Sequence, residues 1–107
     1  MILLLGLIWL HWIADFVAQA DWMAKGKSSS NKALTAHIAI YSLFLLILGP
    51  KYALVNGALH WITDYFTSRQ TKKLWEKKEV HNFFVVIGLD QAIHMTTLFL
   101  TIPLIGW

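Results

Sequence analysis

The sequence predicts an all-α integral membrane protein of four transmembrane helices, arranged as two repeated helical hairpins. Three observations lead there. Hydrophobic residues make up 57% of the 107 positions and charged residues only 14%, against roughly one quarter charged in a soluble domain. No apolar stretch alternates with period two, so helices are the only element that satisfies its backbone in lipid. A polar motif also recurs in the two halves of the chain. A soluble domain of this size could not hide so much apolar surface, because its surface-to-volume ratio is unfavourable. One domain is expected, residues 1–107, with repeat halves of about 1–50 and 51–107.

The elements follow in order. The first apolar stretch runs from about Ile2 to Ala20, and the second from about Ala33 to Gly49, closed by Pro50. The third begins near Tyr52, is apolar to about Phe66 and continues as a polar helix through Thr67–Lys78; the fourth runs from Phe83 to Trp107. Each approaches the roughly 17–25 residues that cross a bilayer. The opening Met-Ile-Leu-Leu-Leu lacks a basic flank and a small-residue cleavage site, so it reads as a retained helix. Gly88 and Ala92 have the small-x3-small spacing of a helix-packing contact.

Charge sets the expected orientation. Lys25, Lys27 and Lys32 lie in one loop, Arg69, Lys72, Lys73, Lys77 and Lys78 in another, and only Lys51 on the opposite side. That places loops 21–32 and 67–81 in the cytoplasm and both termini outside, in a bacterial inner membrane. The net charge of +3 sits in these loops, which speaks for topology and against nucleic-acid binding. Trp22, Trp75 and Trp107 fall where indoles anchor a membrane interface.

The repeat carries the polar residues. His11-Trp-Ile-Ala-Asp15 recurs as His60-Trp-Ile-Thr-Asp64, and His37 and His94 each precede a Leu-Phe-Leu run. Two hairpins entering the bilayer in the same sense predict a pseudo-two-fold axis along the membrane normal. His11 and Asp15, four apart, share a helix face that Gln19 extends; His60 and Asp64 repeat the arrangement, and Asp90 and His94 reverse it. At about 1.5 Å per residue, His11, His60, Asp90 and His94 lie within one to two turns of one another, and all seven fall in one slab of the cytoplasmic half of the bilayer. Left facing lipid, each costs at least about 2.5–3.5 kcal/mol, so they must face inward and satisfy one another.

With no cysteine, a metal would be held by imidazole and carboxylate. The metal candidates are His11, Asp15, His37, His60, Asp64, Asp90 and His94. Such ligands suit zinc best, with manganese or iron as alternatives, in a one-metal or a carboxylate-bridged two-metal site. His81, at the head of the fourth stretch, and Asp21, beside Trp22, read as interface residues that could join the site.

His11-Trp-Ile-Ala-Asp-Phe-Val-Ala-Gln-Ala-Asp-Trp-Met-Ala-Lys-Gly-Lys27, followed by Ala36-His37, resembles the opening of a family of short bacterial and phage membrane proteins of unknown function. That family carries an H-x3-D-F-x2-Q-x-D-W-M-A signature, and the resemblance extends over most of the chain. More distantly, the layout resembles inner-membrane metal-dependent hydrolases, which are likened to zinc phospholipases. The second resemblance implies that the seven His and Asp residues form the metal site.

The expected function is metal-dependent hydrolysis of a lipid-like phosphoester on the cytoplasmic side. Asp15, Asp64 or Asp90 would be the general base. Arg69, Lys72 and Gln19 are the substrate or phosphate candidates. Two other classes stay open: a non-enzymatic assembly protein whose polar layer joins helices, and a small ion or proton pathway. Beyond the lipid bilayer, the expected partner is a second copy of the chain, because four helices bury little surface.

Overall fold

The computed structural model describes residues 1–107. Five α-helices follow one another: α1 (Ile2–Trp12), α2 (Asp21–Gly26), α3 (Asn31–Leu45), α4 (Pro50–Glu76) and α5 (Val80–Leu100). A π-helical turn, Ile13–Val17, continues α1, and 3-10 turns follow α3 and α5. Local chemistry sets several boundaries. Ser30 caps α3 by accepting a hydrogen bond from the Ala33 amide (3.3 Å), satisfying one of the orphan donors at a helix start. Pro50 opens α4, where its missing N–H costs nothing. Lys78, at φ 60°, ends α4 in the left-handed conformation, and the Glu79 amide reaches back to the Leu74 carbonyl (2.9 Å).

Helix α4 is the centre of the fold and packs against both α3 and α5. Its buried residues include Tyr52, Asn56, His60, Asp64 and Ser68, one every four positions. Leu54, Ile62 and Phe66, on its other faces, are exposed. The usual amphipathic arrangement is therefore reversed: the polar stripe faces in and the apolar one faces out. The apolar core gathers at one end, where Leu7, Tyr41, Leu45, Tyr52 and Leu98 meet. There the Tyr52 hydroxyl donates to the Leu98 carbonyl (2.8 Å) and the Asn56 amide to Thr101 Oγ1 (2.9 Å).

The architecture corrects the expectation of four transmembrane helices in two repeated hairpins. Two stretches, not four, are long and apolar enough to cross a membrane: Asn31–Leu48 and Val80–Leu100, with mean hydropathy 1.5 and 1.6. The first apolar segment stops short at Val17, because the chain unwinds after its π turn and restarts as the separate helix α2. Helix α4 is long enough at 27 residues, but its own polar residues from Asn56 to Glu76 interrupt every stretch of membrane length. Nor are the halves equal hairpins. The first contains an additional helix, α2, and its partner helices, α1 and α3, are 11 and 15 residues long against 27 and 21 for α4 and α5. The pseudo-two-fold axis therefore falls. So does the orientation with both termini outside, since it was counted over four crossings.

Gly49 is the tightest point of the fold. It has φ 117°, and a Cβ built on it would lie 2.1 Å from the Gly106 carbonyl oxygen. The Gly106 amide bonds the Leu48 carbonyl (2.9 Å), which pins the C-terminal segment to the α3–α4 turn. Gly49→Ala is expected to lower stability by about 1–3 kcal/mol through backbone strain and loss of this closure, read as a lower denaturation midpoint.

Candidate metal centre

All seven His and Asp residues predicted from the sequence are buried, none more than 8% exposed. They reach the centre from four helices and the π turn. His11 comes from the last turn of α1, and Asp15 from the π turn that follows. Such one-turn π segments recur at functional sites because they re-aim a side chain within a helix. His37 comes from the middle of α3, His60 and Asp64 from α4, and Asp90 and His94 from α5.

Four of them converge most closely. His37 Nε2 lies 2.9 Å from Asp15 Oδ1 and 3.4 Å from Asp64 Oδ2. His60 Nε2 lies 3.3 Å from the same Asp15 oxygen and 3.0 Å from the same Asp64 oxygen. Ligand atoms around a tetrahedral zinc at 2.0–2.1 Å are separated by about 3.4 Å. Four of the six edges of such a tetrahedron are thus close to their required length. Asp15, Asp90 and His94 form a second, smaller set that shares Asp15. Here His94 Nε2 is 3.1 Å from both Asp64 Oδ1 and Asp90 Oδ2.

Hydrogen bonding alone accounts poorly for this packing. A neutral imidazole has one N–H to give, yet each of these nitrogens faces two carboxylate oxygens. His37 Nε2 and Asp15 Oδ1 are buried without a hydrogen bond, as are His37 Nδ1 and His60 Nδ1. An unpaired buried polar atom costs about 1–3 kcal/mol. A cation between the nitrogen lone pairs and the carboxylates removes the cost for the inward-facing pair. The donor chemistry therefore fits a divalent ion held by Asp15, His37, His60 and Asp64.

Charge agrees with that fit. Asp64 Oδ2 has Lys27 Nζ at 3.7 Å. With neutral imidazoles, the three carboxylates and this one ammonium leave a deficit that a single dication balances. Burial pushes the Asp64 carboxyl up, but the imidazoles of His37, His60 and His94 that face it outweigh this and hold the group below the usual carboxylate range.

His11 occupies a different place. Its Nε2 donates to Gln91 Oε1 (2.8 Å) and its Nδ1 lies 2.9 Å from the Tyr41 hydroxyl. Both ring nitrogens are used, and Asp15 Oδ2 is 3.5 Å away, so His11 buttresses Asp15 at the edge of the four-donor set. Tyr41 also packs its ring 4.1 Å from that of His60. Gln91 joins His11 to the second set by donating to Asp90 Oδ2 (3.0 Å), and Thr67 donates to Asp90 Oδ1 (2.5 Å).

The substrate candidates separate. Arg69 faces away, stacking over Tyr65 (3.8 Å) and donating to Asn31 Oδ1 (2.9 Å). Gln19 lies past the end of the π turn, where the helix has stopped, so it does not extend the His11–Asp15 face by a further turn; its Oε1 is buried without a partner. Lys72 lines a cleft next to the cluster. His81 and Asp21 are exposed at the first turns of α5 and α2, outside the cluster.

Comparison with known proteins places this arrangement in a family. A family described as "Protein of unknown function (DUF3307)" matches residues 2–106. The chain belongs to it. No curated protein and no solved structure matches the chain.

Proposed function

We propose that this DUF3307 chain is a metal-dependent hydrolase that cleaves a lipid-like phosphoester beside the His/Asp cluster. The observation that carries the proposal is the four-donor set, whose inner atoms are spaced for a tetrahedral ion and partly lack hydrogen bonds. Zinc is the ion this nitrogen–oxygen set favours, with manganese and iron next. Bound there, a dication supplies Lewis acidity and water ionised near neutral pH.

The chain's own residues divide the remaining work. Asp90 is the candidate general base. Its side chain is more open than those of Asp15 and Asp64, 11% exposed against 3%, and it lines a small cavity together with Lys27 and Asp64. Thr67 and Gln91 fix its two oxygens, and His94 links it to Asp64. The exposed apolar sides of α3 and α5, among them Leu43, Phe84 and Leu89, support a lipid environment and an apolar substrate delivered from it.

Elemental analysis of the purified protein tests the reading. About one divalent ion per chain is expected, with loss of that ion in His37→Ala and turnover of a soluble aryl phosphodiester only in the loaded protein. A chain that stays metal-free after growth and purification with added zinc overturns it and leaves the cluster as interhelical polar glue.

A further inference from the structure

A cleft of about 540 Å³ opens beside the cluster, between the loop after α2 and the facing sides of α4 and α5. Its size falls in the range of small-molecule sites. Its lining is mixed: Trp75, Phe83, Phe84 and Ile87 supply aromatic and aliphatic surface, and Lys27 and Lys72 supply cationic groups, with Glu76 one turn beyond Lys72. A narrower cavity of about 50 Å³, lined by Asp64 and Asp90, shares Lys27, Ser68, Thr71 and Ile87 with the cleft. The two spaces are thus consecutive along one wall, and Lys27 stands where they meet.

Lys27 is held at that point by its surroundings. The Gly26 carbonyl accepts from both the Ser29 and Ser30 amides, turning the chain. The ammonium reaches Asp64 while its side chain keeps 22% exposure. It can therefore face the carboxylate and an incoming anion at once.

We infer that the cleft binds an amphiphile with an anionic phosphate head and an alkyl chain, the chain lying on Trp75, Phe83, Phe84 and Ile87 and the head held by Lys27 and Lys72. This rests on the proposed hydrolase and deepens it by naming the site and the residues that recognise its substrate. Charge complementarity selects the occupant: Lys27 and Lys72 against Glu76 in the cleft favour an anion, and Trp75, Phe83, Phe84 and Ile87 offer apolar surface to an alkyl chain. A phosphate seated on Lys27 lies at the mouth of the cavity that contains Asp90.

The test is a titration of the full-length protein in maltoside micelles with 12-bromododecyl phosphate, whose bromine quenches nearby indoles. Quenching is expected to saturate and to fall sharply in Trp75→Phe. Lys27→Met is expected to weaken binding by about tenfold or more, the weight of a hydrogen bond to a charged group. Shorter-chain analogues should bind about fourfold more weakly for each CH2 removed from the cleft. Inorganic phosphate should compete only at far higher concentration; equal competition would make the site one for free phosphate and overturn the proposal. Unaltered binding in Lys27→Met, or equal competition by dodecyltrimethylammonium, also overturns it. Metal-loaded protein that cleaves an aryl phosphodiester but does not bind the bromo-amphiphile overturns the cleft alone. Metal-free protein that binds it overturns the hydrolase alone and supports the cleft.

Discussion

Asp64→Asn is expected to lose its bound metal and every activity that depends on it, a larger effect than any other single change in the cluster. Asp64 is the one carboxylate that faces His37, His60, His94 and Lys27 together. Removing one of four donors takes away about a quarter of the roughly 10–16 kcal/mol by which a structural zinc site holds its ion, or two to three orders of magnitude in affinity. The measurement needs no substrate. Added zinc at about 1,000 times its dissociation constant should stabilise the natural chain by about 4 kcal/mol and Asp64→Asn by only about 0.4–1.4 kcal/mol. A full zinc-dependent rise in denaturation midpoint in the variant would remove Asp64 from the ligand set.

The same residue shows how far the sequence could be read. Burial of His11, Asp15, His37, His60, Asp64, Asp90 and His94 follows from their place among apolar residues, since an ionisable group has nowhere else to go there. The i,i+4 spacing brought His60 to Asp64 as expected, at 3.0 Å on a regular helix. It was less informative for His11 and Asp15, because the π turn between them belongs to no residue pattern that can be counted. That turn also ended the first apolar segment early, and with it the fourfold crossing.

Lys27, Tyr41 and Gln91 were legible only in three dimensions. Lys27 reads as one of several loop cations until the turn at Gly26 carries it to Asp64. Tyr41 and Gln91 lie in otherwise apolar stretches, and their partner, His11, is 30 and 80 residues away. Arg69 misled for a related reason. Its position near the polar end of α4 is right for a phosphate, but its fork is already committed to Tyr65 and Asn31. Sequence spacing locates a side chain on its own helix; what the other helices offer it is set by packing.

Asp90→Asn separates catalysis from metal binding. Asp90 stands outside the four-donor set, and its oxygens are engaged by Thr67 Oγ1, Gln91 Nε2 and His94 Nε2. An amide of the same shape keeps the oxygen that Thr67 bonds but cannot accept a proton. Hydrolysis is therefore expected to fall by about 10²–10⁴-fold, the usual share of a general base, with about one metal ion per chain retained. Steady-state kinetics beside elemental analysis reads both. A variant that loses its ion would make Asp90 a ligand and move the centre toward the set it forms with Asp15 and His94. One that keeps both ion and rate would assign the base to Asp15 or to no side chain, because Asp64 is fully occupied by its imidazoles and Lys27. Of the two carboxylates that line the small cavity, Asp90 has the more exposed side chain, 11% against 3% for Asp64, and partners that orient it; those two properties together are what a proton acceptor at the edge of a metal centre requires.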